Sequence, residues 1–193
     1  MATYGNDMDL KTFGETIEPA LLSAPPVTSP EGLTRAAALV LISRRSAGAC
    51  FGFIHRPDTM DVHPGQISFP GGHMERGEGP LQTALRETEE EIGVNQNAID
   101  VIGFMPPEKT GSTGYIVWPV VGVLIDVPVM KLKEDEADDF FWCPVSFFLD
   151  TNNRGVRDNL LPGERDLRPA YHFNGYEIWG LTLRIITTLL NPI

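Results

Sequence analysis

Cationic residues are scarce in this chain of 193 residues: 15 lysines and arginines stand against 26 aspartates and glutamates, a formal charge of −11. That deficit excludes electrostatically driven binding to nucleic acid or to an anionic membrane. It leaves room for chemistry on phosphates if a divalent metal supplies positive charge locally. Cysteine is nearly absent, with Cys50 and Cys143 the only 2. A disulfide scaffold is therefore excluded, and free buried thiols in a reducing compartment are expected. Long apolar runs are missing as well. The longest, residues 115–125, is interrupted by Pro119 and Gly122 and is too short to span a bilayer. The N-terminus lacks the basic region and apolar core of a secretory signal, and the C-terminal Asn-Pro-Ile is not a peroxisomal address. A soluble protein of the cytoplasm or another reducing compartment is expected.

What the chain does have is glutamate in one place. Residues 86–91 read Arg-Glu-Thr-Glu-Glu-Glu, although like charges four apart on a helix repel. Helix signals surround the run: Pro80 suits a first helical position, Gly93 suits the residue past the end, and Leu81, Leu85, Thr88 and Ile92 form a one-sided stripe. At roughly 100° per residue, Glu87, Glu90 and Glu91 share an arc away from that stripe. The spacing predicts a helix that packs on its leucines and turns three carboxylates outward. Carboxylate oxygens are hard donors suited to Mg²⁺ or Mn²⁺. The alternative is a solvated acidic helix face.

The surroundings favour the metal. Gly71 and Gly72 precede the helix, Glu78 lies six residues after Gly72, and Arg86 lies eight after Glu78. From Gly72 to Val94 this spacing resembles the signature of the Nudix hydrolases. Every fixed position matches, and only the first apolar slot departs, holding Thr88. The resemblance implies an α/β fold, the Nudix-type α/β/α sandwich with a mixed β-sheet. It implies Glu87, Glu90 and Glu91 as ligands of Mg²⁺ or Mn²⁺, with the Gly71 carbonyl as a further ligand. It also implies a Glu78–Arg86 pair fixing the loop on the helix, with Gly72 and Gly93 as structural positions. The general base stays open: Glu87 or Glu90 comes first, with Glu108 and Glu136 outside the box as further candidates. The substrate would be a small nucleoside diphosphate derivative. Monomer and homodimer are equally open.

The upstream segment narrows the substrate. Phe53-Ile54-His55-Arg56 followed by Gly65-Gln66-Ile67-Ser68-Phe69-Pro70-Gly71-Gly72 resembles the extra motif of the coenzyme A diphosphatase subgroup. That resemblance implies Arg56, His63, Gly65, Gln66 and Phe69 as substrate-binding candidates, and hydrolysis of coenzyme A or acyl-coenzyme A to 3′,5′-ADP and a phosphopantetheine. The departures are Asp61 where the motif has a second Arg, Ile54 where it has Thr, and Pro57 where it has a small residue. An acidic residue at a phosphate-reading position inverts the local charge. ADP-ribose, NADH, a dinucleoside polyphosphate or a nucleoside triphosphate is therefore the alternative substrate, and an inactive binding module is the rival of another class.

Along the rest of the chain, residues 1–33 read as an N-terminal extension, partly flexible, with a short helix over 15–22. Residues 34–193 read as one domain. Strands are expected over 36–43 and 49–55 as a hairpin, then over 66–69, 98–105, 115–125 (one strand or two) and 140–142. A strand pair is expected over 170–178 and helices over 144–149 and 181–190. Residues 150–169 read as a long polar loop.

Overall fold

A computed structural model describes residues 8–27, 32–60, 63–110, 114–161 and 164–190. Its centre is strand β1 (Thr34–Arg45), where Ala36, Ala37 and Leu39 to Ile42 are all buried. A strand buried on both faces needs two partners and two covering layers. Along one edge β1 pairs in parallel with β7 (Tyr115–Leu124). Its other edge is divided. β2 (Gly48–His55) takes residues 41–45 as an antiparallel hairpin, and β4 (Gly71–His73) takes residues 36–38. Between them the Leu39 N–H donates to the Pro70 carbonyl at 2.7 Å. The sheet is completed by β3 (Ile67–Ser68) and β8 (Asp139–Pro144) on β2, and by β5 (Ile99–Phe104) and β6 (Glu108–Lys109) on β7. Mixed parallel and antiparallel pairing gives the α/β class expected from sequence.

Alternation along β1 sorts the layers. Ala37, Leu39 and Leu41 join Ala84 and Ile92 of helix α2 (Pro80–Ile92), together with Trp118 and Val120, on one face. Val40 and Ile42 join Phe13 and Ile17 of α1 (Leu10–Ile17), α3 (Val145–Leu149) and α4 (Gly180–Leu190) on the other. The second face is rich in rings: Phe51 meets Phe13, Phe69 and Phe148 at centroid distances of 5.8 to 5.9 Å.

Two expectations need correction. The first helix begins at Leu10 rather than near residue 15, because the Asp9 side chain caps it by accepting from the N–H groups of Lys11 and Thr12. Residues 150–169 are not a loop. β9 (Arg154–Leu161) and β10 (Glu164–Phe173) pair antiparallel, and β11 (Tyr176–Trp179) adds to β10 in a separate 3-stranded sheet. Residues 115–124 form one strand, as the single-strand reading had it. The small sheet is fastened to the large one by Tyr176, which stacks on Phe141 at 4.2 Å and donates to the Asp139 carboxylate. Cys50 and Cys143 are buried thiols outside any disulfide, and no helix among the described residues is long and apolar enough to cross a membrane.

Because Phe13 is 1% exposed and touches Phe51 edge-on, Phe13→Ala should cost about 3–5 kcal/mol. Thermal unfolding should show a fall of roughly 10 °C. An unchanged melting temperature would mean that α1 does not belong to the core.

Candidate active site

Helix α2 begins where the sequence signals put it, with Pro80 at its first turn and the Gly79 N–H donating to Gln82 Oε1 at 3.2 Å. It ends on Gly93 at φ 71, a left-handed cap that donates to the Glu89 carbonyl. The buried face is rotated from the one expected, though Thr88 and Ile92 of the predicted stripe lie in it. Thr83, Ala84, Thr88, Glu91 and Ile92 face the sheet, while Leu81 and Leu85 lie half-buried at the flank. The small residues let the helix approach closely. Thr83 donates to Glu78 Oε2 at 2.8 Å, and Thr88 donates to the Ala84 carbonyl at 2.7 Å. The expected outward arc is thereby split. Glu90 has 47% of its side chain exposed, Glu87 only 14%, and Glu91 3%.

Glu91 points into the sheet because the Gly71 N–H donates to its Oε2 at 2.9 Å. This contact requires Gly71 to lack a side chain, and Gly72 gives the Glu87 carboxylate its room. A Cβ on Gly71 would stand 2.6 Å from the Ala38 Cα, and one on Gly72 would stand 2.5 Å from the Glu87 carboxylate. Arg56 Nη1 lies 3.9 Å from Glu91 Oε1. Burial pushes the Glu91 carboxyl up to about 8, although the Gly71 N–H and the Arg56 guanidinium pull it back. Glu87 is likewise raised by burial, against the pull of Arg86. The like charge of Glu136 raises both.

Glu136 arrives from far along the chain. The segment after β7 continues past the end of α2, where the N–H groups of Lys131 and Lys133 donate to the carbonyls of Ile92 and Glu91, each at 3.0 Å. This docking carries Glu136 to the other carboxylates. Its Oε1 pairs with Lys133 at 2.7 Å, and its Oε2 is buried with no hydrogen-bond partner among the described residues. Glu108, the other candidate outside the box, is turned elsewhere: its Oε2 meets Arg184 of α4 at 3.4 Å. Sequence named Glu136 but gave no sign that residues 131–133 would dock on the helix end.

Arg86 is the cation of the box. It pairs with Glu78 at 2.9 Å, Glu87 at 2.9 Å and Glu90 at 3.1 Å, and Nη2 donates to the His73 carbonyl at 3.0 Å. The expected Glu78–Arg86 tie between loop and helix therefore forms. It holds the Glu78 carboxyl well below its usual range, at about 2, through the Arg86 hydrogen bond first and the Glu75 N–H next.

The upstream candidates separate into two groups. Arg56, His63 and Gln66 come together: the Arg56 N–H donates to the Gln66 carbonyl at 3.0 Å, and the Gln66 N–H to the His63 carbonyl at 3.4 Å. Burial lowers the His63 imidazole, and the nearby Arg56 charge lowers it further. Gly65, at φ 63, shapes the turn, where a Cβ would meet the Asp58 carboxylate. Phe69 is not at the site. It is 3% exposed and packs 4.8 Å from Phe53 in the core on the far face, so its expected part in substrate binding is corrected to a structural one. Asp61 lies outside the described residues.

As the side chains stand, no three His, Cys, Asp or Glu among the described residues form a ready metal-binding group. The donor chemistry nevertheless fits a hard cation. Glu91 is a desolvated carboxyl, Glu136 has a buried oxygen without a partner, and Gly72 leaves the space in which Glu87 turns.

A family model described as the NUDIX domain matches residues 33–162. The chain belongs to the Nudix hydrolase family. The uncharacterized Nudix hydrolases NudL of Escherichia coli and Shigella boydii are 32% identical over 156 residues, covering 80% of this chain and 80% of theirs. Among solved structures, a Caenorhabditis elegans Ap4A hydrolase aligns with a TM-score of 0.51 and 20% identity, over 61% of this chain and 84% of that one. A MutT protein from Methanosarcina mazei Go1 aligns with a TM-score of 0.50 and 20% identity, over 63% of this chain and 84% of that one. At that identity the two structures speak for the fold alone, the Nudix α/β/α sandwich.

The Glu78–Arg86 tie has an acid signature. A carboxyl whose folded pKa is depressed contributes stability above its unfolded pKa and loses it as pH falls through the folded value. For Glu78 the window runs from about 4.5 down to about 2. Acid unfolding of Glu78→Gln should be flatter than wild type across that window and less stable at pH 7. Superimposable acid limbs would contradict the tie.

Proposed function

We propose that the protein hydrolyses the diphosphate linkage of coenzyme A or an acyl derivative, giving 3′,5′-ADP and a phosphopantetheine, with Mg²⁺ or Mn²⁺ as cofactor. The observation that carries the hydrolytic reading is the gathering of Glu87, Glu91 and Glu136 at the Gly71-Gly72 loop, with Glu91 desolvated and its carboxyl pushed up to about 8. Buried carboxyls collected against their own repulsion are what a cation-binding site requires. Glu87, Glu90 and Glu91, with the Gly71 carbonyl, would hold the ion. Once bound, it would supply charge neutralisation on the diphosphate oxygens and acidify a water.

The remaining steps belong to the chain's own residues. Arg56 binds a phosphate oxygen of the substrate and turns the diphosphate toward α2. Water attacks phosphorus as the bridging P–O bond breaks, and the departing phosphate takes a proton from solvent. We assign the proton of the attacking water to Glu136 Oε2, because Glu87 and Glu90 are both engaged by Arg86 while this oxygen has no partner among the described residues. His63 and Gln66 support Arg56 from the β2–β3 loop.

The coenzyme A assignment rests on the upstream motif, with Arg56 beside Glu91. Asp61 favours a second reading, another nucleoside diphosphate derivative such as ADP-ribose, NADH or a dinucleoside polyphosphate. A binding module without activity is disfavoured, because every fixed residue of the box is present.

A product assay decides the substrate. With Mg²⁺ or Mn²⁺, release of 3′,5′-ADP is expected from coenzyme A and acetyl-coenzyme A. Turnover of ADP-ribose, NADH or a dinucleoside polyphosphate with coenzyme A untouched would discard the subgroup and keep the chemistry. In the same assay Glu136→Gln should lower kcat by roughly 10²–10⁴-fold at saturating Mn²⁺. Glu90→Gln should weaken Mn²⁺ binding as well. Wild-type rates for both would overturn the residue roles.

A further inference from the structure

We infer that His73 and Tyr115 form a stacking platform for a purine base, the adenine of the substrate. The inference rests on the nucleotide-hydrolase reading above. The two rings lie 5.1 Å apart at an interplanar angle of 12°, a parallel stack. They come from different strands on opposite edges of β1: His73 of β4 stands beside Ala36, and Tyr115 of β7 beside Thr34. Residues 34 and 36 of a strand share a face, so the two side chains meet across β1. That face is opposite the one carrying α2, since Gly72, one residue before His73, is the residue that faces Glu87.

Three observations distinguish this pair from an ordinary core contact. His73 is exposed and Tyr115 half-buried, whereas the ring cluster around Phe51 and Phe53 is fully covered. Neither the His73 imidazole nor the Tyr115 hydroxyl makes a side-chain hydrogen bond among the described residues, so both polar edges are available to ring nitrogens of a ligand. The adjoining positions of β1 on this face, 36 and 38, are alanines, which leave the floor beside the rings low.

The platform is also in register with the chemistry. His73 lies two residues from Gly71, about 7 Å along a strand, a span comparable to that from a base to its first phosphate. The His73 carbonyl accepts from Arg86 Nη2 at 3.0 Å, so the guanidinium that holds Glu87 and Glu90 also fixes the strand carrying the imidazole. β4 pairs with β1 alone among the described residues, and its Gly71 N–H and His73 carbonyl are met by Glu91 and Arg86, so the strand that carries the imidazole borders the carboxylates of α2 directly. Flat π surfaces select a flat π partner, and aromatic stacking tolerates any base. The choice of adenine comes from the substrate class.

The test uses AMP, which carries the base and one phosphate but no bond to hydrolyse. In the full-length protein, AMP binding followed by saturation-transfer NMR should weaken about tenfold in His73→Ala and in Tyr115→Ala, the effect of one stacked base. Tyr115→Phe, which keeps the ring, should restore it. Mn²⁺ affinity should be unchanged in all three. On an adenine-containing diphosphate, the alanine variants should raise KM by about tenfold with a much smaller effect on kcat. AMP binding that depends on both rings upholds the platform even if no diphosphate in the panel is hydrolysed, an outcome that would sink only the hydrolase reading. AMP affinity and KM indifferent to both alanine variants, or no AMP binding by a protein that does hydrolyse nucleotides, would overturn the platform.

Discussion

The site depends on one buried hydrogen bond, from the Gly71 N–H to Glu91 Oε2 at 2.9 Å. It draws a carboxylate from the middle of a charged helix under the sheet and fixes the loop to the helix at the same point. The contact depends on Gly71 having no side chain, and Gly72 beside it leaves room for Glu87. A Cβ on the first would meet the backbone of β1, and one on the second the Glu87 carboxylate. Burying a carboxyl this deeply is unfavourable for its charged form. A raised proton affinity therefore follows from the same geometry that closes the loop on the helix.

Around that bond the few cations near the box are each shared. Arg86 serves Glu78, Glu87, Glu90 and the His73 carbonyl, and Arg56 lies against Glu91. In a chain of formal charge −11 these guanidiniums hold together carboxylates that would otherwise repel one another. Glu78 and Glu91 mark the two extremes. The first is half-buried and tightly paired, with its carboxyl held down at about 2; the second is buried with its cation at 3.9 Å, and burial pushes it up to about 8. The loop before α2 thus carries a structural acid and the helix a site acid, separated by desolvation.

Much of this was legible in the residues. Pro80, Gly93 and the glycine pair before them bound the helix and its loop, and the apolar runs around residues 34–55 and 115–124 fall on the central strands. Local signals sufficed because helix caps and hairpins are made by neighbours in sequence, and a doubly buried strand shows itself by its own apolar run. Where partners come from far away, the pattern was silent or misleading. Angular arithmetic put Glu91 on the outer face, since nothing local announces a backbone N–H 20 residues back. The polar strands β9 and β10 read as loop because they are held by cross-strand pairing and by Arg157, which stacks over Trp179 at 3.6 Å and pairs with Glu177 at 3.0 Å. Phe69 sits in a substrate-like motif yet points to the opposite face, because Ile67 and Phe69 both join the core beyond the sheet.

The most direct measurement is the proton count on metal binding. A carboxyl whose folded pKa is raised favours folding below its unfolded pKa and loses that contribution as pH rises through the folded value. Burial, which pushes Glu91 up to about 8, favours its protonated form at pH 7 in the metal-free protein. A cation taking its place must displace that proton. Mn²⁺ titration in weakly buffered solution at pH 7 should release about one proton per protein, declining toward none well above pH 8, and Glu91→Gln should abolish the release. Tight Mn²⁺ binding at pH 7 with no proton released, or release undiminished in Glu91→Gln, would contradict the assignment of the buried glutamate to the metal.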